Sequence, residues 1–335
     1  MKALTLIDSS TFEVQDVPLP EIGAQDVLIR IYAVGICGSD IHGMDGSSGR
    51  RQPPIVMGHE AAGVVEAIGA EVTRCAVGDR VTVDSTVYCG ACDNCAKGQV
   101  NLCASRQVLG VSCDDYRRAG AFAEFLAVPE RIIYALPDSV SFEHAAMVEP
   151  LAIAMHAVRR VASVDGKRVA VIGAGMIGQL ILQVLKAKGA SEIIAVDLAR
   201  EKLELATQCG ATEVYHGNEI DAVSQPADVV FEVVGLTPTV RSAIQLCRLG
   251  GEVVLVGNLS ADVDLPLQKV VTGEISLHGS CACAGEYPEC LELIASQGVN
   301  LDLLVSGTAP LVEGADWFQR LYQAEKGLMK VILKP

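Results

Sequence analysis

VAVIGAGMIGQLILQVLKAKGASEIIAVD, residues 169–197, reads as strand, turn, helix and second strand. The run 169–172 is short and wholly apolar, as suits a strand buried on both faces. Three glycines follow as Gly173-x-Gly175-x-x-Gly178. Gly173 permits a sharp turn, Gly175 leaves no side chain to hold a pyrophosphate away, and Gly178 lets helix and strand pack closely. Ile177, Ile181, Leu182 and Leu185 recur at helical spacing until Gly189 stops the helix. The start of that helix offers free N–H groups and a positive dipole end to phosphate. A second apolar run ends at Asp197, 19 residues beyond Gly178, where a carboxylate can accept from both ribose hydroxyls of an adenosine. A glycine-rich turn alone can be only a turn. Strand, helix, second strand and terminal acid together define a dinucleotide site, with Gly173, Gly175, Met176, Ile177, Gly178 and Asp197 as candidate contacts.

The same alternation extends outward. Strands are expected at 169–172, 193–197, 229–234, 252–257 and 275–278, separated by helical stretches. That is the pattern of an α/β, doubly wound parallel sheet. Upstream the texture is β-rich, with 27–34 largely alternating and strand-like runs at 61–65 and 120–128. Residues 137–161 read as helical after their first turn, with Glu149-Pro150 embedded; 288–296 reads as helix and 330–333 as a last strand. A length of 335 residues suggests about two domains, and no internal repeat or low-complexity tract appears.

Composition excludes several classes. Half the residues are hydrophobic and 20% are charged, ample material for a core and too apolar for disorder. A net charge of −15 repels phosphate backbones and argues against a nucleic-acid partner. No uncharged apolar run reaches 18 residues, so no membrane span is expected. MKALTLIDSS meets Asp8 too soon for a signal peptide, which points to the cytoplasm. In such a compartment twelve cysteines suggest metal ligation, not disulfides.

Four of them, Cys89, Cys92, Cys95 and Cys103, stand as C-x2-C-x2-C-x7-C. Four thiolates so close in sequence can close a tetrahedron around one Zn²⁺ without help from the rest of the chain, leaving no open position for chemistry. An iron–sulfur site more often ends in C-x3-C-P, and Cys103 is followed by Ala104. The scattered cysteines (75, 113, 209, 247, 281, 283 and 290) read as mostly buried small apolar residues. A second constellation is dispersed: Cys37, the adjacent His59 and Glu60, and Glu149 amid apolar neighbours. Residues so far apart are more often ordinary core or surface groups, but a thiolate, an imidazole and a carboxylate together can make an open zinc site with a position for water or substrate.

These residues resemble the zinc-dependent medium-chain alcohol and polyol dehydrogenases over nearly the whole chain. The resemblance rests on G-I-C-G-S-D-I-H at 35–42, G-H-E-A-A-G at 58–63, G-D-R-V at 78–81, the four-cysteine lobe, V-E-P-L at 148–151 and the glycine fingerprint. It is strongest to the sorbitol and threonine dehydrogenase branch. It implies a GroES-like β-barrel catalytic domain over 1–152 with the structural-zinc lobe at 89–103. A Rossmann NAD-binding domain follows over 153–285, and 286–335 return to the catalytic domain. It also implies a homotetramer or a dimer, NAD as cofactor and two Zn²⁺ per chain.

Carried over residue by residue, Cys37, His59 and Glu60 resemble the catalytic zinc ligands, and Glu149 the group that binds zinc or holds its water. Ser39 and His42 resemble the ends of a proton relay. Lys202 matches a position near the adenosine ribose, and Val256, Gly257 and Asn258 a strand end near the nicotinamide. The implied reaction is zinc-assisted hydride transfer from a polyol or sugar-derived secondary alcohol to NAD, giving the ketone. L-threonine oxidation, phosphorylated polyols and a catalytically silent dinucleotide-binding regulator are the competing readings. The chain departs from sorbitol dehydrogenases where an Arg-Tyr pair approaches the substrate: Ala282 and Cys283 stand there, so sorbitol itself is expected to be a poor substrate. Arg50 and Arg51, after the glycine-rich stretch 43–49, are expected as a solvated surface pair, or else as a contact to an anionic substrate.

Overall fold

A computed structural model describes residues 1–113 and 116–335. The chain forms two compact units: Met1–Glu149 with Tyr287–Ser296 and Val305–Pro335, and Pro150–Glu286 with Gln297–Leu304.

The first unit is built on a mostly antiparallel sheet of seven strands among the described residues. The long strand Asp26–Gly35 lies at its middle, flanked by Glu60–Ile68 and by the C-terminal strand Lys330–Lys334, and also pairing with Phe125–Pro129. Alternation within Asp26–Gly35 sends Val27, Ile29 and Ile31 into a core shared with Leu4, Val65, Phe122 and Leu333, and Val34 joins it beyond a register shift between Ile31 and Ala33. Phe318 fills the gap between Phe12 and Phe122, with ring centroids 4.3 and 5.5 Å away. Each fully buried side chain of this kind stabilises the fold by about 1.5–3 kcal/mol.

The second unit carries a parallel six-stranded sheet among the described residues. Its order is Glu213–His216, Glu192–Asp197, Arg168–Ile172, Ala227–Glu232, Cys247–Leu255, Ser276–Gly279. The strand order reverses between Arg168–Ile172 and Ala227–Glu232, the place where such sheets open a ligand crevice at their carboxyl ends. Gly173, at φ +97°, makes the turn into the helix Met176–Ala187, and a side chain on Gly178 would collide with the Gly173 carbonyl.

Some expected elements differ in detail. The helix expected over 137–161 is two, Phe142–Ala146 and Val148–Val158, because the chain closes the first at Met147. Residues 120–124 are not strand; Gly120, Ala121 and Phe122 donate to the backbone of 56–58, and pairing begins at Phe125. Glu213–His216 was not expected as a strand, because its burial alternates weakly at the sheet edge. Residues 297–304 group with the second unit, where Gln183 donates to the Asn300 carbonyl (3.1 Å) and accepts its N–H (2.6 Å).

Candidate metal centres and dinucleotide turn

Cys37 ends the turn after Asp26–Gly35 and caps the short helix Gly38–Ile41. His59 and Glu60 open the neighbouring strand, and the register sets Glu60 opposite Gly35. A side chain at 35 would collide with the Glu60 carboxylate, which is why glycine stands there. One ligand atom each from Cys37, His59 and Glu60 lie within 4.8 Å of one another. Glu149, second in its helix, is not part of that triple set; its Oε1 accepts from Ser85 Oγ at 2.9 Å. The Ser39 hydroxyl lies 3.4 Å from both Cys37 Sγ and His59 Nε2, whereas His42 is exposed just beyond the helix.

Buried charge dominates this centre. Lys330, 2% exposed, donates to Glu60 Oε1 and Oε2 at 2.7 and 2.6 Å and to the Ile36 carbonyl at 2.9 Å. Burial opposes its charge, but Glu60 and Cys37 outweigh burial and raise its pKa. Burial raises the pKa of Glu149, and Glu60 adds to this against the opposing pull of His59 and Ser85. Burial likewise disfavours ionised Asp40, yet His59 and Arg51 hold its carboxyl well below the usual range. His59 is desolvated too, but Asp40 and Cys37 raise its proton affinity well above the ordinary value. Metal binding would have to displace that proton.

Two expectations need revision here. Arg51 is no surface residue and offers no free guanidinium to an anionic substrate: it is buried and ion-paired to Asp40 at 2.9 Å. Arg50 alone is exposed. The sequence reading also gave no role to Asp40, Ser85 or Lys330. Asp40 sits inside the quoted 35–42 motif, and a lysine heading an apolar terminal strand is the one further hint.

The thiols of Cys89, Cys92, Cys95 and Cys103 form a second cluster. Cys92 Sγ lies 3.5 Å and Cys89 Sγ 3.9 Å from Cys95 Sγ. Tetrahedral ligation at about 2.3 Å asks for sulfurs about 3.8 Å apart, so the donors fit one zinc. Backbone N–H groups of Ala104 and Cys95 draw Cys92 down to about 6, while desolvation pushes Cys95 up to about 12. Of the scattered cysteines, Cys209, Cys247, Cys283 and Cys290 are buried, Cys75 and Cys113 half-buried and Cys281 exposed.

In the second unit, Gly175 precedes the helix with nothing within 4 Å of where a side chain would point, leaving room for a ligand against the backbone. Asp197 closes its strand beside this turn, accepting from Ala174 N at 2.7 Å and Ala199 N at 2.9 Å. Lys202 is half-buried in the next helix, and Val256, Gly257 and Asn258 follow the end of Cys247–Leu255. Gly257 packs against Val234 and Gly235 too closely for any side chain.

Comparison with known proteins agrees with this architecture. The alcohol dehydrogenase GroES-like domain family matches residues 23–138, and the zinc-binding dehydrogenase family residues 177–296. A sorbitol dehydrogenase of Bacillus subtilis strain 168 is 34% identical over 348 aligned residues, covering 100% of this chain and 97% of that protein. A zinc-binding dehydrogenase of Sinorhizobium meliloti 1021, solved bound to NADP, superposes with a TM-score of 0.92 at 31% identity, covering 100% and 99%. Galactitol-1-phosphate dehydrogenase of Escherichia coli gives 0.92 at 27% identity, covering 100% of each chain. Fold and site together define an oxidoreductase acting on CH–OH groups. The chain belongs to the zinc-dependent medium-chain alcohol and polyol dehydrogenase family.

Proposed function

We propose that this chain is an NAD-dependent dehydrogenase of polyol-type secondary alcohols carrying two zinc ions, one at Cys37, His59 and Glu60 and one in the 89–103 lobe. The observation that carries this reading is the convergence of one thiolate, one imidazole and one carboxylate within 4.8 Å. Zinc held there would supply a Lewis acid, and NAD a hydride acceptor. The chain's own residues do the remaining work. Lys330 donates to both Glu60 carboxylate oxygens and so fixes their orientation. Glu149, whose Oε1 accepts from Ser85 Oγ, would hold the metal directly or through water. Ser39 Oγ, 3.4 Å from Cys37 Sγ and His59 Nε2, would take the hydroxyl proton of the substrate, and exposed His42 would release it to solvent.

Gly173, Gly175, Met176, Ile177 and Gly178 cradle the pyrophosphate; Asp197 and Lys202 hold the adenosine ribose; Val256, Gly257 and Asn258 flank the nicotinamide. Asp197 would repel a 2′-phosphate, which supports NAD over NADP. Exposed Leu249, Leu267, Val271 and Leu277 lie on or beside the edge strand Ser276–Gly279 and support a homotetramer or dimer. All twelve cysteines are free of disulfides, in keeping with the cytoplasm. No helix among the described residues is long and apolar enough to cross a membrane.

The substrate is a polyol with no strong demand for the sorbitol contacts. Ala282, at φ +52°, and buried Cys283 offer neither the guanidinium nor the phenol of sorbitol dehydrogenases. Exposed Arg50 favours a phosphorylated polyol as the second reading. The test is kcat/KM for sorbitol, other polyols, their phosphates and L-threonine, each with NAD and NADP. Turnover of a polyol other than sorbitol with NAD is expected. Efficient sorbitol turnover would refute the role given to Ala282 and Cys283, and no turnover of any alcohol would leave a silent dinucleotide binder.

A further inference from the structure

Arg51 is the least expected member of the catalytic unit. Its side chain is 3% exposed and faces Asp40, which is 0% exposed. A side chain at Gly43 would lie 2.6 Å from Arg51 Cγ, so the loop glycine leaves room for the arginine stem. Nη2 reaches Asp40 Oδ1 at 2.9 Å and Ser39 Oγ at 3.4 Å, and Nη1 donates to the Arg50 carbonyl at 3.2 Å. The same Asp40 Oδ1 lies 3.5 Å from His59 Nδ1. Its other oxygen, Oδ2, accepts from Cys37 N at 3.4 Å.

A histidine that binds metal ordinarily gives its second ring N–H to a carboxylate, which fixes the ring and raises its basicity. Here the carboxylate is present, but its nearer oxygen is engaged by a guanidinium. At 3.5 Å the contact to His59 is longer than a good hydrogen bond. A buried arginine–carboxylate pair is also weak evidence of stabilisation in itself, because desolvating both charges offsets their attraction. Its geometric effect is the more telling one.

We propose that Arg51 is a positioning residue: it holds Asp40 partly away from His59, so that the imidazole binds metal less tightly than a full carboxylate–histidine pair would. The metal at this centre is then more electrophilic and more easily lost. Through its contact to the Ser39 hydroxyl, Arg51 also orients the group that receives the substrate proton. This rests on the reading that Cys37, His59 and Glu60 hold the metal. A merely neutralising Arg51 would balance the Asp40 charge and set no distance.

The two roles differ in sign. With Arg51→Met, Asp40 is free to bond His59, and cobalt substituted for zinc at this centre should leave to a chelator about tenfold more slowly than in the native enzyme. With Arg51→Met and Asp40→Asn together, release should be faster than native. Arg51→Lys keeps the charge but reaches less far; it should fold with near-native stability, show a shifted visible cobalt spectrum and a lowered kcat, and leave KM unchanged. A native spectrum and native release rate in Arg51→Lys would overturn the proposal, as would faster release from Arg51→Met. Cys37→Ser separates the two levels. If the spectrum of cobalt at this centre, with zinc kept in the 89–103 lobe, survives that change, the metal assignment fails and this role with it. If it is lost there but unmoved by Arg51→Lys, the role of Arg51 alone fails.

Discussion

The two candidate metal-binding regions gather their donors in opposite ways. The lobe draws four thiols from 89–103, so ligand choice and ligand spacing are a single local property of the chain. Backbone N–H groups of the same short segment supply the electrostatic support, as those of Ala104 and Cys95 do for Cys92. The Cys37 centre draws its donors from the ends of two adjacent strands and its counter-charge from Lys330, 270 residues beyond Glu60. Its charges are buried, and each depends on a partner from another segment. The lobe should therefore tolerate damage elsewhere and fail by itself. The dispersed centre should fail when any one of several distant residues changes.

The largest expected effect is that of Cys37→Ser. It should lower kcat/KM by roughly a thousandfold, about 4 kcal/mol of transition-state stabilisation, while the lobe keeps its zinc. Substantial remaining activity would erase the functional distinction between the two regions. Lys330→Met should come next. In zinc-free protein it leaves Glu60 without its buried counter-charge, so unfolding by urea at pH 7 should show a loss of about 3–5 kcal/mol. The pH dependence has a definite sign. Lys330 is raised in the fold above its ordinary 10.5, so its contribution is whole below that value and is lost as pH climbs through the higher folded value. Wild-type stability should fall in that alkaline window more steeply than that of Lys330→Met.

Cys92→Ser should cost one zinc per chain and lower the melting temperature, with kcat/KM of the folded fraction within about threefold of wild type. A collapse of activity in correctly folded Cys92→Ser would show that the lobe is not the self-contained region described. The smallest effect is that of Asp197→Ala, which should reduce the preference for NAD over NADP by about tenfold, near 1.4 kcal/mol. Equal efficiency with both cofactors in the native enzyme would remove the basis for that assignment.

This contrast also explains what could be read from the chain alone. The strands 168–172 and 192–197 and the glycine turn between them are contiguous, and their periodicity, turn residues and terminal acid all agree. The cysteine lobe was legible for the same reason. Cys37, His59 and Glu60 could be raised from their residue types and local context, but only resemblance joined them, because no spacing rule links residues brought together by strand register. Lys330 escaped altogether, and Arg51 was read as a surface residue or a substrate contact. A lysine heading a final strand and an arginine after a glycine-rich loop look like surface residues until the partner that neutralises each is known. Glu213–His216 was missed because an edge strand with half-buried faces carries little apolar pattern.

On the two-zinc reading the 89–103 lobe supports the fold and the Cys37 centre performs the chemistry. The most direct test of that division is the zinc content of fully active protein, measured beside Cys37→Ser. Two zinc ions per chain are expected in the active enzyme, and one in a folded but inactive Cys37→Ser variant. Full activity with at most one zinc per chain, or an active Cys37→Ser variant, would contradict it.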